Sequence, residues 1–518
     1  MEQGSLQILI VMVVYMVAVI GIGIFFARRA NADTEKFFLG GRSLGPWVSA
    51  MSAEASDMSG WLLMGLPGVA YWCGLADAFW TAAGLAVGTY INWLVVSKRL
   101  RRYSIAANNA ITLPEFFSNR FHEKKKVIMG ISAAFILVFF TVYAASCLVT
   151  CGKLFSTLFG APYITMMLVG AAFVLIYTLL GGFLAESASD FMQAIVMVVV
   201  LVAVLTLGVA SAGGLNAVFE NVKDFPGFLE FFGIADPVTE GGVQLAVNGV
   251  PSFGARQNYG ALNVASMLAW GLGYFGMPQV LLRFMAIRRE DELKRARRVA
   301  MVWVVISLAA AIMIGIVGRT LFPTALTTAS EAENVFIYLS RSLLPAALAG
   351  LAMAGILAAT ISSSDSYLLI AASAFAKNAY QGIFKKNATD KEVMTLSRIM
   401  LLVITAIAIV IALDENSVIF TIVSFAWAGF GATFGPLVLF SLFWKRMTRA
   451  GAIAGMLSGG GMVFIWKLVI KPLGGIFGIY ELLPAFIVSS ILIIAVSLLT
   501  SAPSKEIQDE FERVKKGA

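Results

Sequence analysis

Apolar runs long enough to cross a bilayer recur thirteen times, near residues 8–27, 47–73, 76–97, 127–157, 162–180, 188–212, 263–285, 299–321, 343–376, 394–413, 417–444, 450–470 and 482–500. About 20 apolar residues in helical form span the hydrocarbon, and a helix bonds its own N–H and C=O groups where no water is available. The pattern predicts an all-α polytopic membrane protein with thirteen transmembrane helices. Composition agrees: 59% of the residues are hydrophobic and 13% charged, whereas about a quarter are charged in a soluble domain. Met1 to Gln7 carries no basic segment of the kind that opens a signal peptide, so the first run is expected to remain as a helix.

The net charge of +8 does not point to nucleic acid, because the basic residues sit in short clusters between apolar runs and form no continuous face. They report orientation instead. With the N-terminus outside, the segments 28–42, 98–126, 283–298, 377–398, 445–449 and 505–516 are cytoplasmic and hold 31 of the 38 Lys and Arg. Cytoplasmic loops carry such an excess, so the N-terminus is expected outside and the C-terminus inside, in a plasma (inner) membrane. Cys73, Cys147 and Cys151 all lie in apolar context and read as reduced packing residues. The only histidine, His122, sits in a basic loop, which argues against a histidine proton relay within the membrane; a carboxylate relay stays open. No nucleophile and histidine set appears, so an enzyme is not expected.

From Leu44 to Trp72 the chain is apolar enough to span a membrane, yet Ser52, Glu54, Ser56, Asp57 and Ser59 crowd its first half, and Gly60 follows. Carboxylates facing lipid cost several kcal/mol each, so this helix is expected to be broken and to face a wetted, protein-lined cavity. Five helices later, Leu268 to Gln279 has three glycines and a proline. An odd number of crossings brings the second unit in from the opposite face, so two five-helix units are inverted copies whose breaks meet at the midplane. The expected partition is 1–43 (an extra helix and loop), 44–212 (first repeat), 213–262 (extracellular loop), 263–444 (second repeat) and 445–518 (two further helices and a tail).

Five segments carry a resemblance: Phe38-Leu-Gly-Gly-Arg-Ser-Leu-Gly-Pro46, Ser52 to Pro67, Gly181-Gly-Phe-Leu-Ala185, Trp270-Gly-Leu-Gly-Tyr-Phe-Gly276 and Ala426-Trp-Ala-Gly-Phe-Gly431. In this order they resemble the sodium/solute symporter family, most closely its sodium/proline symporters. The resemblance implies a LeuT-type fold and places a sodium ion on the carbonyls of Ala55, Met58 and Ala359 and the hydroxyls of Ser362 and Ser363. Residues 359, 362 and 363 also share one helical face, and a hard cation needs several oxygens. Small residues such as Ser362-Ser-Ser364 serve close helix packing equally well. Asp57 is similar to the family's aspartate for sodium coupling; a helix cap or a pair with Arg42 is the structural alternative. A second cation site is suggested by Asp190, with Asp365 and Ser366 one turn beyond the serines. Acids at Glu54, Glu186 and Asp365 depart from the proline carriers, and Glu186 reads as a helix start.

Trp270, Tyr274 and Pro278 recur every four residues and are expected on one face, where rings cover an apolar ring while Ser59 and Gly60 take a carboxylate. In the resembled symporters the matching residues contact substrate; an aromatic stripe also serves as core. These readings lead to a sodium-coupled secondary symporter importing a small solute, foremost L-proline, by alternating access. Another amino acid, carboxylate or vitamin, or proton coupling on the same scaffold, is the alternative.

Overall fold

The computed structural model describes residues 3–30, 33–180 and 182–517; Gly181, in the third of the family-like segments, lies outside the described residues. Nine helices among the described residues are long and apolar enough to cross a membrane, from Leu75–Ala106 to Leu482–Leu499. Two shorter apolar helices, Leu6–Ile22 and Tyr163–Leu179, accompany them. Residues 46–73 and 261–286 are the interrupted segments, each divided into short helical pieces.

The helix Leu75–Ala106 continues past the apolar run and carries Lys98, Arg99, Arg101 and Arg102 on its last turns. Residues expected to open a loop are therefore helical, because the guanidinium groups find partners without leaving the helix. Arg101 donates to the Ile287 carbonyl at 2.7 Å and Arg99 to the Leu442 carbonyl at 2.8 Å. Polarity rises toward the molecule's middle and falls toward its flanks. Val17, Val302, Val410 and Leu498 are more than half exposed, whereas every residue from Ala349 to Ala374 except Leu351 is buried. Such inside-out polarity is stable only with hydrocarbon outside.

The connection 213–262 is folded. It holds a short helix, Leu215–Glu220, and three antiparallel two-residue strand pairs, so the chain is not purely helical. Phe225, Phe228 and Phe253 cluster with ring centroids 5.2–5.8 Å apart. The loop is tied down by the Phe228 carbonyl, which accepts the Leu75 amide at 2.8 Å, and by Gln244, which accepts from Arg319 at 2.9 Å. At the other end, the amphipathic helix Lys505–Lys516 turns Ile507, Phe511 and Val514 inward, and His122 bonds Glu510 at 2.9 Å. The three cysteines are free thiols, two of them buried.

Candidate functional site

The first interrupted segment begins with Pro46 at the first helical position after Gly45, where a missing N–H costs nothing. It runs to Gly60, and the break falls on Ser59, whose φ of 49° and ψ of −167° leave the helix. A non-glycine residue there is strained, a feature that concentrates at functional sites. The Ser59 hydroxyl offsets part of the cost by accepting the Trp61 amide at 3.2 Å. Gly60, the next residue, is helical at φ −60°. Its lack of a side chain serves close approach: a Cβ would stand 2.5 Å from the Thr150 hydroxyl oxygen. Beyond it come a π-helical turn, Trp61–Gly65, and the helix Leu66–Cys73.

Four residues upstream of the break, the Ala55 carbonyl faces the long helix Ala346–Ser373. Ser362 donates to it at 2.9 Å and Ser363 at 3.3 Å. Ser362 also reaches the Ala359 carbonyl, at 3.2 Å. Two carbonyls and two hydroxyls thus converge from two helices, all fully buried. Neutral oxygens in this arrangement suit a hard monovalent cation, because hydroxyls that donate to the Ala55 carbonyl can rotate and offer lone pairs instead. Met58 is buried as well, but its carbonyl accepts the Trp61 amide.

Asp57 takes neither of its structural alternatives. Ser59 makes the cap, and Arg42 is held by Asn109, Ser104 and the carbonyls of Met285 and Ala110. Asp57 instead accepts from Gln279 at 3.1 Å, across to the second interrupted segment. Its backbone carbonyl is approached at 3.4 Å by both the Tyr143 and Tyr367 hydroxyls, whose rings stack at 4.2 Å.

The second segment is helical through Trp270–Gly273, tightens over Tyr274–Gly276, becomes extended at Met277 (φ −77°, ψ 110°) and restarts at Pro278. That extended residue lies between Tyr274 and Pro278 and interrupts the four-residue periodicity there, so Pro278 does not continue the face of Trp270 and Tyr274, which both pack near Trp427. Trp270 packs against Trp61, Phe420 and Tyr480, with centroids 5.1–5.5 Å apart. Tyr274 sits edge-on to Trp427 at 5.0 Å, its hydroxyl buried and without a hydrogen bond among the described residues. Pro278 lines a separate small void with Thr112, Ile136 and Asn378. Glycine permits these approaches: a Cβ on Gly273 would lie 2.0 Å from the Trp427 indole nitrogen, and one on Gly276 2.3 Å from the Phe430 carbonyl.

Asp190, Ser366 and Ser52 gather around a residue that sequence reasoning missed, Arg283, which is fully buried. It donates to Ser52 at 2.9 Å, to Asp190 at 3.1 Å and to Ser366 at 3.0 Å, and it is paired with Glu186. Glu186 therefore stands in a first helical turn, as its position suggested, and is neutralised by an arginine besides. Asp365 turns one oxygen to the Ser366 amide at 2.8 Å; its other oxygen has no partner among the described residues. Glu54 bonds the Trp93 indole at 3.1 Å. Arg283, Gln279 and Tyr143 gave no local signal, since each is one polar residue in a largely apolar run and the acidic residue it meets lies at least 80 positions away.

The arrangement matches known proteins over nearly its whole length. The model of the sodium:solute symporter family covers residues 37–459. A sodium/proline symporter of Haemophilus influenzae is 44% identical over 512 residues, 98% of this chain and 97% of that protein. One from Escherichia coli is 40% identical over 511 residues, 98% and 96% of the two chains. Among solved structures, a Na+-coupled sialic acid symporter, substrate-bound and outward-open, superposes with a TM-score of 0.76 at 16% identity, over 96% of this chain and 99% of that one; it shares the fold. The chain belongs to the sodium:solute symporter family.

Proposed function

We propose that this protein is a sodium-coupled symporter that imports L-proline by alternating access. The observation that carries the reading is what the first interrupted segment meets: Ala55 is tied to Ser362 and Ser363 of the helix Ala346–Ser373, and Asp57, two residues before the break at Ser59, is tied to Gln279 of the second interrupted segment. Sodium would be held by Ala55, Ala359, Ser362 and Ser363, with Met58 joining once its carbonyl is released. Asp57 supplies the nearby negative charge. Solute would lie against Ser59, Gly60, Trp270 and Tyr274, where aromatic faces suit a pyrrolidine ring and loosened backbone suits a carboxylate. Asp190, Asp365 and Ser366 form the second candidate cation region, with Arg283 now supplying one positive charge there.

Thirteen crossings are supported by nine long helices, two shorter apolar ones and two interrupted segments. Neighbour relations support an inverted five-plus-five arrangement over 44–212 and 263–444. Helix Leu75–Ile91 packs on the second interrupted segment, while Leu293–Leu321 packs on the first. Likewise Phe183–Ser211 packs on Ala346–Ser373, while Ile419–Phe443 packs on Val127–Phe159. Each pair of neighbours turns into the other when every helix is replaced by its counterpart five places on. The distribution of Lys and Arg supports the N-terminus outside and the C-terminus in the cytoplasm.

Energetically, one sodium ion moving through about 100 mV yields about 2.3 kcal/mol. At about 1.4 kcal/mol per decade this sustains roughly 40-fold accumulation of solute. Coupling requires sodium to favour the state in which the solute pocket is formed; the residues that would hold sodium and solute are neighbours on one interrupted segment. The test is uptake of labelled proline into proteoliposomes. An inward sodium gradient should drive it. Uptake that follows pH and ignores sodium, or binding of another solute in preference to proline, would contradict the reading.

A further inference from the structure

Where the helices Pro46–Gly60, Phe183–Ser211 and Leu293–Leu321 meet, a crevice of about 380 Å³ opens on the lipid-facing side. Its inner wall is buried Met51 and Trp303, and its rims are the exposed Val199 and Val302. Every lining residue is apolar except Arg298, at one end. Arg298 is exposed and has no hydrogen bond or ion pair among the described residues; neither has Lys294, one turn before it. The acids nearest in sequence are already used: Glu290 by Arg102, Asp291 by Arg289 and Glu292 by Arg288. Lys294, Arg298, Val302 and Ile306 follow at four-residue spacing, so one helical stripe passes from two unpaired cations into the crevice.

We propose that this crevice is a binding site for an anionic glycerophospholipid, with one acyl chain between Val199 and Val302 and the phosphate on Arg298. Hydrocarbon is the only occupant a crevice of this lining offers within a bilayer. A guanidinium without a protein partner matches the geometry and charge of a phosphodiester. Trp47, half exposed at the same end, has the amphipathic ring found at headgroup level. The arc from Arg298 to Ile306 is about 12 Å long at 1.5 Å per residue, room for a substantial part of a chain. Met51 precedes Ala55 by one turn of the same helix, so the bound chain packs against the segment whose carbonyl meets Ser362. The proposal concerns that surface and stands whichever solute is carried.

The test offers the purified full-length protein equimolar phosphatidylglycerol and phosphatidylcholine of identical chains and counts retained lipids by native mass spectrometry. The wild type should retain the anionic lipid about fivefold over the zwitterionic one, the equivalent of about 1 kcal/mol for a cation at a charged surface. Arg298→Gln should bring the ratio near one, whereas Lys386→Gln, removing an exposed cation elsewhere, should leave it unchanged. Val302→Trp, which fills the crevice and leaves the charge, should lower retention of both lipids. Equal retention by the wild type, an undiminished preference in Arg298→Gln, or full retention in Val302→Trp would overturn the proposal. Should Arg298→Gln not fold, the wild-type ratio and the Val302→Trp count decide it.

Discussion

Gly60→Ala tests whether the midspan break depends on close packing. An added Cβ would lie 2.5, 2.6 and 3.0 Å from the Thr150 side-chain atoms Oγ1, Cγ2 and Cβ. Thr150 cannot swing aside freely, because its hydroxyl donates to the Ser146 carbonyl at 2.9 Å. Overpacking a tight site costs about 1–3 kcal/mol. Gly60 is already helical, so alanine returns up to about 1 kcal/mol of helix propensity. With that gain in full, the net loss is up to about 2 kcal/mol. Thr150→Ala removes the two nearest atoms and by itself leaves a small void. The two changes together should be more stable than Gly60→Ala alone, with a coupling of about 1–2 kcal/mol, read from thermal unfolding in detergent beside proline uptake. If the double variant were no better than Gly60→Ala, steric contact with Thr150 would not be what reserves this position for glycine.

Three further outcomes follow. Asp57→Asn keeps the bond to Gln279 and removes the charge, so the sodium concentration for half-maximal uptake should rise at least tenfold with expression unchanged. Trp270→Ala should weaken proline binding by about 1–2 kcal/mol through loss of the contacts with Trp61, Phe420 and Tyr480, while sodium-induced stabilisation persists, as measured by thermal shift with and without sodium. Arg283→Ala leaves Glu186 and Asp190 buried without their cation and should cost about 3–5 kcal/mol of stability; Arg283→Lys should recover part of it.

The membrane class and both interruptions were legible because lipid imposes strong constraints: a span must be apolar, and polar residues within it need a reason. The Ala55 and Ser362 meeting was reachable from spacing and family likeness. What stayed hidden involved long-range pairing. Arg283 reads in sequence as one more basic residue near a span end, and only the fold brings it to Glu186 and Asp190, 97 and 93 positions away. Pro278 parts from Trp270 and Tyr274 for a different reason, since a period of 3.6 holds only while the helix is continuous, and Met277 interrupts it between Tyr274 and Pro278. That the break falls on Ser59 itself was not legible, because nothing in composition marks a serine for a positive φ; the strained residue compensates through its own hydroxyl.

Whether sodium and solute sites are coupled is read from the proline affinity of purified protein with and without saturating sodium, in the wild type and in Ser362→Ala with Ser363→Ala. Binding linkage is reciprocal, so sodium held between Ala55 and these hydroxyls must tighten proline binding, by fivefold or more in the wild type. The double variant should bind proline at the sodium-free affinity regardless of the ion. Sodium-enhanced binding that survives unchanged in the double variant would contradict the account.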